Sequence, residues 1–205
     1  MGKIVFVALP LDARDLGSGA WIRLLPAWLP PAQADDLYAR LRDETPWEQG
    51  TVRFFGREVP EPRLTAWYGE ADYTYSGRTV RARPLPPDLA RLRQRVEQEV
   101  GHEFDSVLLN LYRDGRDSMG FHADDEPELG DNPIIVSLSL GEARRFDVRP
   151  RRGGPAGLTL SLEHGSLLVM GGTFQHVFRH GVPKERREIG PRINLTFRAM
   201  ALRSG

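Results

Sequence analysis

From residue 105 onward the chain is a run of short β-forming segments, at 105–112, 133–140, 145–149, 157–163, 165–170, 175–180 and 191–200, divided by Gly, Pro and charged loops. Regular short strands of this kind restrict the fold to a sandwich or jelly roll. A length of 205 residues suits one such domain with a substantial core. Two helices are expected ahead of these strands. Pro30-Pro31 opens the first, in which Ala34, Leu37, Tyr38 and Leu41 follow the i, i+3, i+4, i+7 rule and Asp35 and Asp36 occupy the first turn. Asp88 caps the second, whose Leu89, Leu92, Val96 and Val100 keep one face apolar up to Gly101. Residues 21–28 read as a strand and 51–59 as a hairpin, and 63–68 and 73–75 as strands joined by the turn G-E-A-D. Residues 1–20 read as a peripheral strand followed by a loop. The whole is an α+β, mainly β, chain with two helices buttressing a sheet.

Two stretches carry chemistry. His122 and Asp124 are two apart, so in an extended strand both side chains point to one face. With no cysteine in the chain, histidines and carboxylates are left as metal ligands; a third has to come from elsewhere, and the histidines downstream are His164, His176 and His180. Two histidines and a carboxylate on one face, with other positions open, suit non-haem Fe(II). His164 lies in the turn E-H-G-S and reads as structural. His176 and His180 are four apart and share a face of a regular strand, so parity does not separate them. In the last segment Arg192, Asn194, Thr196 and Arg198 alternate with Ile193, Leu195 and Phe197. If that polar face meets solvent, the pattern is ordinary. If it points inward, two guanidinium groups need anions beside them, and a dicarboxylate would serve. Asn110 and Tyr112 form a matching polar face upstream.

N-x-Y at 110–112, H-x-D at 122–124, a late histidine and R-x-N-x-T-x-R at 192–198 together resemble the AlkB family of Fe(II)- and 2-oxoglutarate-dependent nucleic-acid dealkylases. P-R-L-T-A-W-Y-G at 62–69 and Y-T-Y-S-G at 73–77 extend the resemblance, which runs from about Trp21 to Met200. It implies a double-stranded β-helix (jelly roll) domain over 21–205, with nucleotide-recognition hairpins at about 50–80 and a jelly-roll core at about 105–200. It implies Fe(II), 2-oxoglutarate and O2, and demethylation of bases such as 1-methyladenine and 3-methylcytosine in DNA. In similar proteins the ligand histidine precedes an x-V-P segment, which favours His180, before Gly181-Val182-Pro183, and makes His122, Asp124 and His180 the catalytic metal ligands. The same likeness gives Arg192 and Tyr112 the distal carboxylate of 2-oxoglutarate, and Asn110, Asn194 and Arg198 its metal-proximal end. A flipped base would stack between Tyr75 and His122, with Arg63, Tyr73 and Ser76 at other pocket positions. Asp125 and Glu126 would favour a cationic methylated base over a neutral one. Phe54 and Phe55, at the hairpin tip, cannot both point inward. One is a candidate wedge between bases, and burial of both under the loop is the alternative.

Formal net charge is zero, but its distribution is uneven. Residues 144–205 hold twelve basic against four acidic residues, and 110–143 hold two against eight. An acidic motif region beside a basic final third suits a cation held inside and phosphates gripped at the rim. The apolar run Ile4–Leu9 is too short for a membrane span and no small-residue cleavage site follows it, so a cytoplasmic monomer is expected. The same chemistry on RNA or protein, and a non-catalytic nucleic-acid-binding jelly roll, are the competing readings.

Overall fold

The period-two pattern of the last strand governs how the sheets stack, because its two faces have to be buried against different partners. In the computed structural model residues 10, 12–54, 57–69, 73–75, 78–151 and 153–200 are described, with the backbone alone at 53–54, 73–75 and 78–80. The elements in chain order are β1 (Arg14–Gly17), β2 (Ala20–Leu25), α1 (Pro31–Glu44), β3 (Thr51–Phe54), β4 (Arg57–Pro60), β5 (Leu64–Gly69), β6 (Tyr73–Tyr75), β7 (Arg78–Val80) and α2 (Pro87–Val100). There follow β8 (Ser106–Tyr112), β9 (Met119–His122), a 3-10 turn (Pro127–Leu129), β10 (Ile135–Gly141), β11 (Arg144–Pro150), β12 (Leu158–Leu162), β13 (Leu167–Gly172), α3 (Phe174–Val177), β14 (Phe178–Val182) and β15 (Arg192–Arg198). A seven-stranded sheet runs β1-β2-β13-β10-β15-β8-β5 and a four-stranded sheet β12-β11-β14-β9, the jelly roll expected from the strand pattern. Two hairpins, β3-β4 and β6-β7, stand apart from both.

β15 is bonded on both sides, to β10 and to β8. Its odd residues Ile193, Leu195 and Phe197 join Val107, Leu109, Val136, Leu138, Leu167 and Val169 in a core that also takes Ala34, Leu37 and Leu41 of α1 and Leu89, Leu92 and Val96 of α2. The even residues face the small sheet. There Tyr112, Ile135, Leu168 and Met170 pack with Phe146, Val148, Phe174 and Phe178. All seven residues of β15 are buried, so the polar face is turned inward and away from solvent.

Several local expectations are corrected. Asp35 and Asp36 lie beyond the first turn of α1, and Asp36 pairs instead with Arg40 one turn on. Asp88 sits inside the first turn of α2, after Pro86 and Pro87, while Gly101 closes the helix in the left-handed conformation as expected. The 63–68 and 73–75 strands are not partners: β5 pairs with β8, and β6 pairs with β7. The segment D-A-R-D-L-G-S-G contains β1, an edge strand turned back onto β2 at Gly17 and Gly19, both with positive φ. The expected strand at 175–180 begins with the four-residue helix α3. The Ile4–Leu9 run lies outside the described residues. Among the described residues no helix is long and apolar enough to cross a membrane.

Leu195 is paired with Leu138 on one side and Leu109 on the other, and all three are fully buried. Leu195→Ala is expected to lower the unfolding free energy by about 2–5 kcal/mol, read from the urea midpoint. Because its side chain lies on the helix side of the sheet, metal affinity of the folded fraction should not change.

Candidate metal and anion site

Two strands of the small sheet bring the histidines together. β14 pairs with β9 so that His180 stands opposite His122, with ring centroids 4.4 Å apart. Gly181 permits this approach: a Cβ there would lie 2.9 Å from the Met119 carbonyl of β9. Asp124 lies just past β9, in a loop, and is placed by side chains. Its amide donates to Gln175 Oε1 at 3.0 Å, and its Oδ1 accepts from Arg198 Nη2. Its Oδ2 is left 3.5 Å from His180 Nε2. One ligand atom from each of His122, Asp124 and His180 falls within 4.8 Å of the others.

The protonation states favour a cation. His122 Nδ1 is 2.9 Å from the Gly120 carbonyl, which can only accept, so this nitrogen carries the proton and Nε2 keeps its lone pair. Burial, followed by the neighbouring His180, pushes the His122 pKa down to about 4. Burial alone would raise Asp124, but the Arg198 guanidinium and both imidazoles outweigh it and hold the carboxyl well below the usual carboxylate range. His180 is 4% exposed and its Nδ1 has no partner among the described residues. Two imidazoles, that of His122 neutral, and an ionised carboxylate, converging and partly unsatisfied, fit a divalent metal of the Fe(II) type.

The same cleft runs inward to Arg192, lined on the way by Asn110, Tyr112, Met119, Phe146 and Val182. Arg192 is 1% exposed. Its Nη2 donates to Ser139 Oγ at 2.8 Å, and Nε and Nη1 have no partner among the described residues. Burial pushes its pKa down to about 10, the Tyr112 hydroxyl opposing and Arg144 adding to the shift. Its guanidinium lies 5.3 Å from the Tyr112 ring. A buried cation without a carboxylate is costly. The N–H donors that are left over, beside a phenol, suit an anionic carboxylate.

The expected residues divide. His122, Asp124, His180, Asn110, Tyr112, Arg192, Asn194 and Arg198 all line the cleft. Asn194 is satisfied within the sheet, donating to Ser137 Oγ and the Leu138 carbonyl and accepting from Thr196 Oγ1. Arg63 does not line the cleft but lies behind Asn110. Asp125 forms an ion pair with Arg151 at 2.5 Å, and Glu126 begins the 3-10 turn. His176 is on α3 with Nε2 against the Asp131 carbonyl, and His164 Nδ1 accepts from the Gly141 amide at 2.8 Å, so neither reaches the metal ligands. Phe55 and Ser76 fall outside the described residues, and Phe54, Tyr73 and Tyr75 are placed by backbone only.

Two residues of the site were not legible in the sequence. Gln175, fully buried on α3, holds the Asp124 amide from 51 residues away. Arg144, 1% exposed on β11, donates to the Asp117 and Pro183 carbonyls at 2.8 Å and lies 5.4 Å from the Tyr112 ring, which Arg192 also approaches. Their only sequence signal is a polar residue within a strand-like run, which is also what a solvated face looks like.

Residues 22–198 match the model of the 2OG-Fe(II) oxygenase superfamily. The human alpha-ketoglutarate-dependent dioxygenase alkB homolog 3 is 42% identical over 186 residues, covering 86% of this chain and 65% of that protein. The mouse DNA oxidative demethylase ALKBH2 is 39% identical over 180 residues, covering 82% and 75%. The chain thus spans just under two thirds of the length of the first of these relatives. The solved structure of OsALKBH1 superposes with a TM-score of 0.65 at 18% identity, over 91% of this chain and 99% of that one, and shows the same fold. With the cleft's two histidines, carboxylate and buried arginine lying inside the matched span, the chain belongs to the AlkB family of the 2OG-Fe(II) oxygenase superfamily.

Proposed function

We propose that the protein oxidatively demethylates N-alkylated bases such as 1-methyladenine and 3-methylcytosine in DNA, using Fe(II), 2-oxoglutarate and O2. The observation that carries this reading is a single cleft with a His-Asp-His ligand set at one end and, at the other, a buried Arg192 with no acidic partner among the described residues. When bound there, Fe(II) with 2-oxoglutarate and O2 supplies the chemistry that hydroxylates an N-methyl carbon, and the hemiaminal releases formaldehyde while succinate and carbon dioxide leave. His122, Asp124 and His180 hold the metal. Arg198 keeps Asp124 ionised and aimed. Arg192 and Tyr112 orient the distal carboxylate, and Met119, Phe146 and Val182 keep water from the reacting centre. All three ligands come from one chain, so a monomer suffices.

Nucleic acid as the substrate is supported by the relatives' printed names and by the outer face of the small sheet. Arg149 and Arg179 stand directly opposite each other there, with Arg149 stacked 4.0 Å from the ring of the exposed Phe121. Like charges facing each other are unfavourable in a sheet unless an anion lies over them. The hairpins β3-β4 and β6-β7 carry the candidate base contacts Phe54, Phe55, Tyr73, Tyr75 and Ser76, and Asp125 and Glu126 border the metal ligand. Because Asp125 is paired with Arg151, its pull on a cationic base is weaker than that of a free carboxylate.

The test is anaerobic loading with Fe(II) and 2-oxoglutarate, then air and a methylated oligonucleotide, with succinate and formaldehyde measured. His122→Ala, Asp124→Ala and His180→Ala should each reduce turnover to background and lose iron with the fold retained, whereas His176→Ala should keep its iron. Iron retained by His180→Ala and lost from His176→Ala would reassign the third ligand. Arg192→Ala should raise the 2-oxoglutarate KM by an amount equivalent to about 2–5 kcal/mol, and Arg192→Lys should recover little, because a point charge cannot replace the fork. Phe55→Ala, and Phe54→Ala less so, should depress repair of duplex more than of single-stranded substrate at equal salt, since the cost of unstacking exists only in duplex. Equal losses on both, with a lower melting temperature, would mark the pair as packing residues.

A further inference from the structure

Behind the cleft, where β5 meets β8, lies a buried polar set that stability alone does not explain. Glu61 and Arg63 are each 6% exposed, and Arg63 Nη2 donates to Glu61 Oε1 at 3.2 Å. Gln49 Nε2 donates to the Glu61 carbonyl at 3.0 Å and anchors that segment. A buried ion pair is seldom a net source of stability, because desolvating both charges offsets their attraction. What this pair holds is Asn110: Arg63 Nε donates to Asn110 Oδ1 at 3.0 Å, from 47 residues away.

The direction of that bond has a chemical consequence. A guanidinium has five N–H donors and no acceptor, so the Asn110 atom facing it has to be the carbonyl oxygen. Turning the carboxamide over would set N–H against a charged N–H in a buried place. Nδ2 is therefore the atom directed away from Arg63. It makes no hydrogen bond among the described residues, and Asn110 lines the cleft. The other carboxamide of the cleft, Asn194, has its Nδ2 committed to Ser137 and Leu138 and its Oδ1 to Thr196.

We propose that Arg63, held by Glu61, is a positioning residue that locks the polarity of the Asn110 carboxamide, so that the cleft receives an N–H donor at this point and not a carbonyl oxygen. A donor there donates to a carboxylate or keto oxygen of a 2-oxo acid and disfavours a ligand group that itself carries N–H or O–H. The assignment rests on reading the cleft as the 2-oxoglutarate site. It moves Arg63 from contact with a base to support of the cosubstrate.

The experiment is calorimetric titration of 2-oxoglutarate into protein loaded with Mn(II) under nitrogen, with thermal midpoints of the ligand-free forms. Arg63→Met is combined with Glu61→Gln so that no unpaired buried carboxylate remains. This double variant should weaken 2-oxoglutarate binding about tenfold, the scale of one hydrogen bond to a charged group, with Mn(II) affinity unchanged. Added to Asn110→Ala, it should weaken binding no further. Additive losses, or unchanged affinity with a lower midpoint, would reduce Arg63 to a purely structural role and overturn the proposal. A ligand-free arm separates this from failure of the cleft reading. Asn110→Asp keeps an oxygen toward Arg63, so it should lower the midpoint less when Arg63 and Glu61 are intact than when both are replaced. If the unaltered protein binds no 2-oxoglutarate, the cleft reading fails. An equal midpoint change in the two backgrounds would then overturn the Arg63–Asn110 lock on its own.

Discussion

A guanidinium sealed between two sheets, with no carboxylate beside it among the described residues, is the constraint on which the interior is arranged. Arg192 lies on β15, a strand bonded to β10 and β8, so its charge cannot be turned outward without breaking two ladders. Desolvating that charge costs several kcal/mol unless an anion or hydrogen bonds replace the lost water. The neighbouring strands answer with Ser139 opposite Asn194 and with Tyr112 opposite Arg192. These small and polar residues do not fill the space between the sheets, and the cleft is what remains. The opposite face of the same strand is Ile193, Leu195 and Phe197, packed under α1 and α2. Parity along one strand thus divides residues that pack the core from residues that line the cleft.

That division was legible in the sequence because it is local. R-I-N-L-T-F-R alternates without interruption, and a strand bonded on both sides keeps its period. The third metal ligand was not legible from periodicity, since the alternation expected across 175–180 is broken by α3. The left-handed Gly172, where a Cβ would meet the Gly19 carbonyl at 2.0 Å, ends β13, and one helical turn follows before β14 begins. His176 and His180 therefore do not share a strand face, and His176 is spent on the Asp131 carbonyl. Spacing could not separate the two, and the one favoured by the family likeness, His180, is the one that stands opposite His122 and beside Asp124. The contacts of Gln175 and Arg63 were not legible for a related reason: their partners are 51 and 47 residues away, and a one-dimensional pattern carries no trace of them.

Counting charge by segment was less informative than the fold. The acidic stretch 110–143 is largely paired, Asp114 with Arg116, Asp117 with Arg113, Asp124 with Arg198 and Asp125 with Arg151. The basic final third is split by strand parity. Arg144, Arg192 and Arg198 point inward, while Arg149 and Arg179 point out. A net excess of arginine there thus combines cleft-lining side chains, a buried packing side chain and a surface field, and only the last bears on attraction to a polyanion at a distance.

The two ends of the cleft are built on different sheets. His122 and His180 belong to β9 and β14 of the small sheet, whereas Asn110, Tyr112 and Arg192 belong to β8 and β15 of the large one. Apolar packing joins the sheets, and the Arg198–Asp124 contact is a polar link between a strand of one and the loop that leaves the other. Asp124 is the least anchored of the three candidate ligands, since it lies beyond the last ladder bond of β9 and takes its position from Gln175 and Arg198. A dicarboxylate that reaches from the metal to Arg192 would replace the missing counter-charge and connect both sheets at once. Its binding would then add to the stability of the fold in proportion to RT ln(1 + [L]/Kd), because the unfolded chain offers no such pairing.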